Sequence, residues 1–281
     1  MQMPTSHNSV EFTDISKVSH IINLNKYPIH DLESEAGRAL LEKARKEFNS
    51  NSLTILNDFL RPEIINQIAA ETLENDLTKS FCFTGSNNVF LGTQNVQNVP
   101  PDHPSYLQKI YTKRTLAYDQ ISSDSPLKIL FQWSPLVDFV SSVVGQEVYR
   151  SADKLGAMTV HIHHNNDEQD WHFDVSEYTI VLHILAPQKG GVLEYVPCSR
   201  SEIEKDTEAL ARIIRGDRHS LTKDLPTIPG VFVLHSGKVS MHRVTPVEGT
   251  TPRISATMSF NRTPNFQLNE YTRQLYFGRN E

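Results

Sequence analysis

Apolar positions near the start of the chain recur with helical spacing, and further on they give way to short alternating runs. From Asp31 onward, Leu40, Leu41, Ala44 and Phe48 fall near one face of a 3.6-residue repeat, which predicts an amphipathic helix. Leu53–Leu56 reads as a strand, and Pro62 opens a second predicted helix to about Asn75, because proline suits a first helical turn. Phe81 to Asn98 carries aromatic residues, Gly85, Gly92 and several amides, the composition of a hairpin with a mobile turn. Pro100, Pro101 and Pro104 punctuate the chain before two further predicted helices, about 105–120 and 134–144. Residues 1 to about 30 are polar and mixed around Ile21-Ile22-Asn23-Leu24 and read as an arm packed on the domain surface.

From Glu147 to Phe260 strand-like runs dominate, interrupted by a predicted helical insert from about Ser201 to Arg215. Gly190 and Gly191 lead into one run, Pro229 and Gly230 into another. In the last run Arg253, Ser255, Thr257 and Ser259 alternate with Ile254, Ala256, Met258 and Phe260, so a strand there would place its polar side chains on one face. Short strands after early helices predict a mainly β, α+β chain, an antiparallel barrel or jelly roll with helical support.

Composition narrows the function classes. The 281 residues suffice for a sizeable core, and 38% hydrophobic with 21% charged content is that of an ordinary soluble protein. A net charge of −6 offers no basic footprint for nucleic acid. Neither a membrane-length apolar run nor a secretory leader is expected. Cys82 and Cys198 lie far apart without metal-binding or redox spacing, which predicts free thiols in a reducing cytoplasm.

The candidate chemistry lies in Trp171-His172-Phe173-Asp174 and in His242, 70 positions after His172 (242 − 172). Two imidazoles and one carboxylate can hold a divalent metal on one face and leave three octahedral positions open, the arrangement used by non-haem Fe(II) oxygenases. Eleven residues later (253 − 242), Arg253 is followed by Ser255; a planar guanidinium with a nearby hydroxyl can grip a carboxylate. His161, His163, His164, His183 and His235 offer further imidazoles, and spacing alone leaves a zinc site built from them open.

These residues resemble the double-stranded β-helix, Fe(II)- and 2-oxoglutarate-dependent dioxygenases over about Asp153 to Phe260. The resemblance implies iron held by His172, Asp174 and His242, 2-oxoglutarate held by Arg253 and Ser255, and dioxygen as the third reactant. It also implies one oxygenase domain over 31–281, with helical support at about 31–146 and a jelly-roll core at about 147–262, preceded by the arm at 1–30. In such proteins a hairpin like Phe81 to Asn98 often folds over the metal as a lid, and His161 or His163 could line the pocket or orient a carboxylate.

Ala152-Asp153-Lys154-Leu155-Gly156-Ala157, Gly190-Gly191-Val192-Leu193-Glu194-Tyr195-Val196-Pro197 and His242-Arg243-Val244-Thr245-Pro246 narrow the likeness. They resemble the free amino acid radical halogenases of the lysine type and their hydroxylating relatives. Those halogenases have Gly or Ala at the carboxylate position, so Asp174 implies hydroxylation. Asn261-Arg262-Thr263 resembles the Asn-x-Thr pair that holds the amino acid backbone, which assigns Asn261 and Thr263 to the substrate. Asp153, Glu194 and the weaker Glu177 are candidates for the substrate ammonium, and Trp171 is a further substrate-binding candidate. Val175 departs from the polar residue expected beside the carboxylate in a lysine-binding relative. The expected substrate is a small polar metabolite, a free amino acid such as lysine, and the chain could form a homo-oligomer. A peptidyl or protein hydroxylase and a non-catalytic cupin-like metal-binding protein are the alternatives.

Overall fold

The computed structural model describes residues 11–91, 103–200 and 207–281. Helix α1 (Glu35–Asn51) starts where the Ser34 side chain accepts from the Gly37 N–H, so the helix predicted from Asp31 begins one turn later. Strand β1 (Leu53–Leu56) follows, then α2 (Pro62–Lys79) with its proline in the first turn. Further helices are α3 (Pro126–Gln132), α4 (Ser134–Val144), α5 (Thr207–Ile214) and α6 (Glu270–Phe277). The start of the insert predicted at 201–215 lies outside the described residues.

The helix predicted at 105–120 is instead a strand, β3 (Tyr111–Leu116), between short 3-10 turns at Pro104–Tyr106 and Tyr118–Gln120. Its side chains alternate: Tyr111, Lys113 and Thr115 are buried, while Thr112 and Arg114 are half-buried on the opposite face. Its flanks are hydrogen-bonded on both sides, to β2 (Phe81–Gly85) and to β5 (Met158–His163). Strand β2 therefore pairs with β3, not with the second arm of a local hairpin. The far part of that predicted hairpin lies outside the described residues.

The remaining strands are β4 (Tyr149–Arg150), β6 (Gln169–His172), β7 (Tyr178–Leu185), β8 (Lys189–Gly190), β9 (Leu193–Val196), β10 (Lys223–Leu225), β11 (Phe232–His235), β12 (Met241–Val244), β13 (Val247–Glu248) and β14 (Arg253–Asn261). The major sheet runs β1-β11-β7-β14-β5-β3-β2, with β4 on the end of β14. The minor sheet runs β10-β9-β12-β6, and β8 with β13 forms a two-stranded ribbon. The pairings are antiparallel, as expected for a jelly-roll core.

One face of the major sheet carries the main core. Met158, Val160 and Ile162 of β5, Ile180, Leu182 and Ile184 of β7, and Ile254, Ala256, Met258 and Phe260 of β14 are buried against residues of α1 to α4. Val18, Ile21, Ile22 and Ile29 belong to the same cluster, so the segment read as a surface arm inserts apolar side chains into the core. The opposite face looks across to the minor sheet and encloses a cavity of about 100 Å³.

Candidate metal centre

His172 ends β6 and His242 lies on β12, directly opposite it in the antiparallel register. Their rings come within 4.3 Å, centroid to centroid. Asp174 follows just past the strand end, with its Oδ1 3.7 Å from His172 Nε2 and 3.5 Å from His242 Nε2. One donor atom from each of the three lies within 4.8 Å of the others, and among the described residues no other group of three metal-binding side chains does so. The sites of His161, His163, His183 and His235 thus do not assemble into a second metal centre among the described residues.

Backbone contacts fix which nitrogens face the ion. His172 Nδ1 donates to the Asp170 carbonyl at 2.9 Å and His242 Nδ1 to the Ser240 carbonyl at 3.1 Å, which turns both Nε2 atoms toward Asp174; the Gln169 amide that contacts His172 Nε2 at 2.9 Å would give way to a metal ion there. Asp174 Oδ2 accepts from Thr179 Oγ1 at 2.8 Å, which turns Oδ1 toward the imidazoles. The Asp174 N–H donates to the Gly237 carbonyl at 3.0 Å, and a Cβ at position 237 would stand 2.0 Å from Asp174 Oδ2. Gly237 therefore makes room for the carboxylate.

The electrostatics suit a cation. Burial opposes the Asp174 charge, yet His242, with His235 and His172, holds its carboxyl well below the usual range. Burial, then His242, pulls His172 down to about 3, so it is neutral and able to ligate at ordinary pH. Burial also opposes the His242 imidazolium, but the charge and hydrogen bond of Asp174 raise it above its ordinary value. A metal ion would replace that proton. Two imidazole nitrogens and one carboxylate oxygen, on one side of a cavity, are the donor set for iron(II) with open positions.

Arg253 lines the same cavity from β14. It is 1% exposed, its Nη1 donates to Ser255 Oγ at 2.8 Å, its Nε has no partner, and no carboxylate pairs with it among the described residues. Burial lowers its pKa to about 10, which leaves it cationic at neutral pH. A buried charge without a counter-ion is costly, so this end of the cavity is built for an anion supplied from outside the protein.

The substrate candidates separate into two groups. Asn261 continues the inward row of β14; its Oδ1 accepts from the Glu177 N–H at 3.0 Å, while its buried Nδ2 has no partner. The others point elsewhere. Asp153 accepts from the N–H groups of Leu155, Gly156 and Leu268 and from Arg273, which saturates it as a structural anchor. Glu194 pairs with Arg243 and Arg218, and Glu177 with Arg262 and Lys238. Trp171 packs in a separate cluster with Val89, Phe90 and Phe173, under the Arg243 guanidinium. Thr263 is exposed beyond the strand.

Sequence reasoning missed Gln169 and Tyr276. Gln169 Nε2 lies 2.9 Å from His172 Nε2 and 3.2 Å from the Tyr276 hydroxyl, so the C-terminal helix α6 forms a wall beside the metal ligands. Asn269 capping α6 and Gly278 ending it were the available signal. Lys113 was also missed: it is fully buried, its Nζ 3.5 Å from the Tyr276 ring centroid, and burial drives its pKa far down.

Solved structures with this architecture include the non-haem α-ketoglutarate-dependent epimerase SnoN from nogalamycin biosynthesis, 14% identical over 80% of this chain and 84% of that one, TM-score 0.55. AviO1 from Streptomyces viridochromogenes is 16% identical over 79% of this chain and 95% of that one, TM-score 0.53. A prolyl-4-hydroxylase from Pseudomonas putida is 12% identical over 79% and 99%, TM-score 0.50. At these identities the likeness establishes a shared fold. No curated protein matches the chain. The family described as Halogenase D matches residues 107–275, which spans the triad, Arg253 and most of α6. With its jelly-roll fold, the His172, Asp174 and His242 group in the cavity and a family match over residues 107–275, the chain belongs to the Halogenase D family.

Proposed function

We propose that this protein is a 2-oxoglutarate-dependent hydroxylase that inserts oxygen into an unactivated C–H bond of a small polar metabolite, a free amino acid. The observation that carries the reading is the Asp174 carboxylate, whose Oδ1 faces both imidazoles; a carboxylate bound there would take the coordination position that the resemblance assigns to halide in the halogenases. Thr179 and Gly237 are shaped around that carboxylate, so it is a built part of the site.

The bound iron supplies the oxygen-activating chemistry, at the expense of 2-oxoglutarate. The chain's own residues bind, orient and exclude water. His172, Asp174 and His242 would hold the metal, and Arg253 with Ser255 would fix the cosubstrate's far end. Leu91, Val175, Phe277 and Leu268 supply apolar wall that keeps water away from the reacting carbon. The unpartnered Asn261 Nδ2 would donate to a substrate backbone oxygen, while exposed Thr263 would reach the substrate only at the rim.

Among the residues described as lining the cavity, Asp174 is the one acid, and it is a metal ligand. With Asp153, Glu194 and Glu177 engaged elsewhere, the described wall offers no carboxylate to a substrate ammonium, and lysine would bring two where other amino acids bring one, which favours an amino acid with an uncharged or acidic side chain. No described helix is long and apolar enough to cross a membrane. Cys82 and Cys198 are not joined in a disulfide, as suits a reducing cytoplasm where iron(II) persists.

The test is an oxygen-dependent succinate assay with the iron-loaded protein across the free amino acids. Stimulation of succinate release by one of them supports the reading. Stimulation by peptides alone would move the substrate to the peptidyl class.

A further inference from the structure

Strand β14 lies between β5 and β7, and this places three imidazoles around the anion anchor. Arg253 stands opposite His163 of β5, and Ser255 stands between His161 of β5 and His183 of β7. Side chains directly opposite across an antiparallel pair are close neighbours, so His163 flanks the guanidinium on the inner face. His161 is already committed through Nε2 to Thr257 Oγ1, at 3.1 Å. His163 is not: it is 0% exposed, and neither ring nitrogen has a hydrogen-bond partner. It lines the cavity together with Arg253 and Ser255.

A buried imidazole with two unsatisfied nitrogens is rare in a finished structure, because each lost its water on folding. No carboxylate among the described residues bonds to it, and it joins no cluster that could hold a metal. Burial, reinforced by the neighbouring Arg253 charge, keeps the ring neutral, so it presents one N–H donor and one acceptor. A carboxylate brings about four lone-pair sites, more than Arg253 Nη and Ser255 Oγ use up.

We propose that His163 is a cosubstrate-binding residue: its ring N–H donates to the far carboxylate of 2-oxoglutarate, as a third grip beside Arg253 and Ser255. This rests on 2-oxoglutarate being the cosubstrate, and it makes the site selective for 2-oxo acids that carry a second carboxylate. His183 provides the built-in contrast. It flanks the same anchor and is equally unpartnered, but it does not line the cavity.

The experiment is an anaerobic titration of the Fe(II)-loaded protein with 2-oxoglutarate and, separately, with 2-oxobutanoate, which has the same chelating end and no far carboxylate. The visible absorption formed when a 2-oxo acid chelates Fe(II) reports binding without turnover. His163→Leu is expected to weaken 2-oxoglutarate roughly ten- to hundredfold and to leave 2-oxobutanoate within about threefold. His163→Gln should recover part of the loss, and His183→Leu should stay within about threefold of the parent for both acids. Equal binding of 2-oxoglutarate by His163→Leu and the parent overturns the role of His163. Equal weakening of both acids overturns it too, since the ring would then support the iron site at large. Absence of the band in the parent protein would instead overturn the cosubstrate assignment itself.

Discussion

The two faces of the major sheet share strands, residue spacing and depth of burial, yet their chemistry is opposite. Toward the helices stand Met158, Val160, Ile162, Ile180, Leu182, Ile184, Ile254, Ala256 and Met258, all buried and apolar. Toward the cavity stand Thr159, His161, His163, Thr179, Arg253, Ser255 and Thr257, with several polar atoms lacking partners. The first face holds the fold together by removing apolar area from water, at about 25 cal/mol per Å². The second works against the fold until ligands satisfy it. A sheet of this kind separates the residues that keep the chain folded from those that make it a site, one residue apart along each strand.

The sharpest break in that comparison is Asp174→Ala on the inner side. It removes the carboxylate ligand while leaving the core untouched, so hydroxylated product should fall to background and anaerobic iron binding should weaken, with the thermal midpoint of the metal-free protein held or raised.

Arg253→Ala comes next. Removing one partner of a buried charge pair costs about 2–5 kcal/mol in binding, so the Kd for 2-oxoglutarate should rise roughly thirty- to several-thousandfold by titration. Without ligand, the variant should unfold no earlier than the parent, because the lost group is an unpaired buried cation.

Thr179→Val takes away the hydrogen bond that orients Asp174 and nothing from the outer face. Iron affinity should fall roughly ten- to hundredfold, as for other groups that orient metal ligands. Leu182→Ala is the mirror image. It should cost about 2–5 kcal/mol of stability in a denaturant melt while 2-oxoglutarate binding by the folded protein stays unchanged.

The smallest effect is that of pH. Burial sets the free Arg253 guanidinium at about 10, so 2-oxoglutarate binding should be flat through neutral pH and weaken as pH rises through about 10, where the anchor loses its charge. Isothermal titration at stepped pH checks the sign.

Much of the inner face was legible in the sequence because its signals are local. His172-x-Asp174 sits in three residues, as does Arg253-x-Ser255, and the alternation along β14 is written into nine. What depended on distant partners was not. Tyr111–Leu116 became a strand because β2 and β5 flank it on both sides, which no window of the sequence reveals. Asp153 looked free for a substrate ammonium because Arg273, which takes it, lies 120 residues away. Glu194 was claimed in the same way by Arg243 across the β9–β12 pair. A carboxylate is visible in a sequence, whereas the cation that neutralises it depends on the fold.

The central claim is that an iron site completed by Asp174 delivers oxygen to carbon. Its most direct test is product mass analysis after turnover of the stimulating substrate under isotopically heavy dioxygen, with bromide present in excess. The account expects a product heavier by one labelled oxygen atom and free of bromine. A brominated product, or an oxygenated one whose oxygen comes wholly from water, would contradict it.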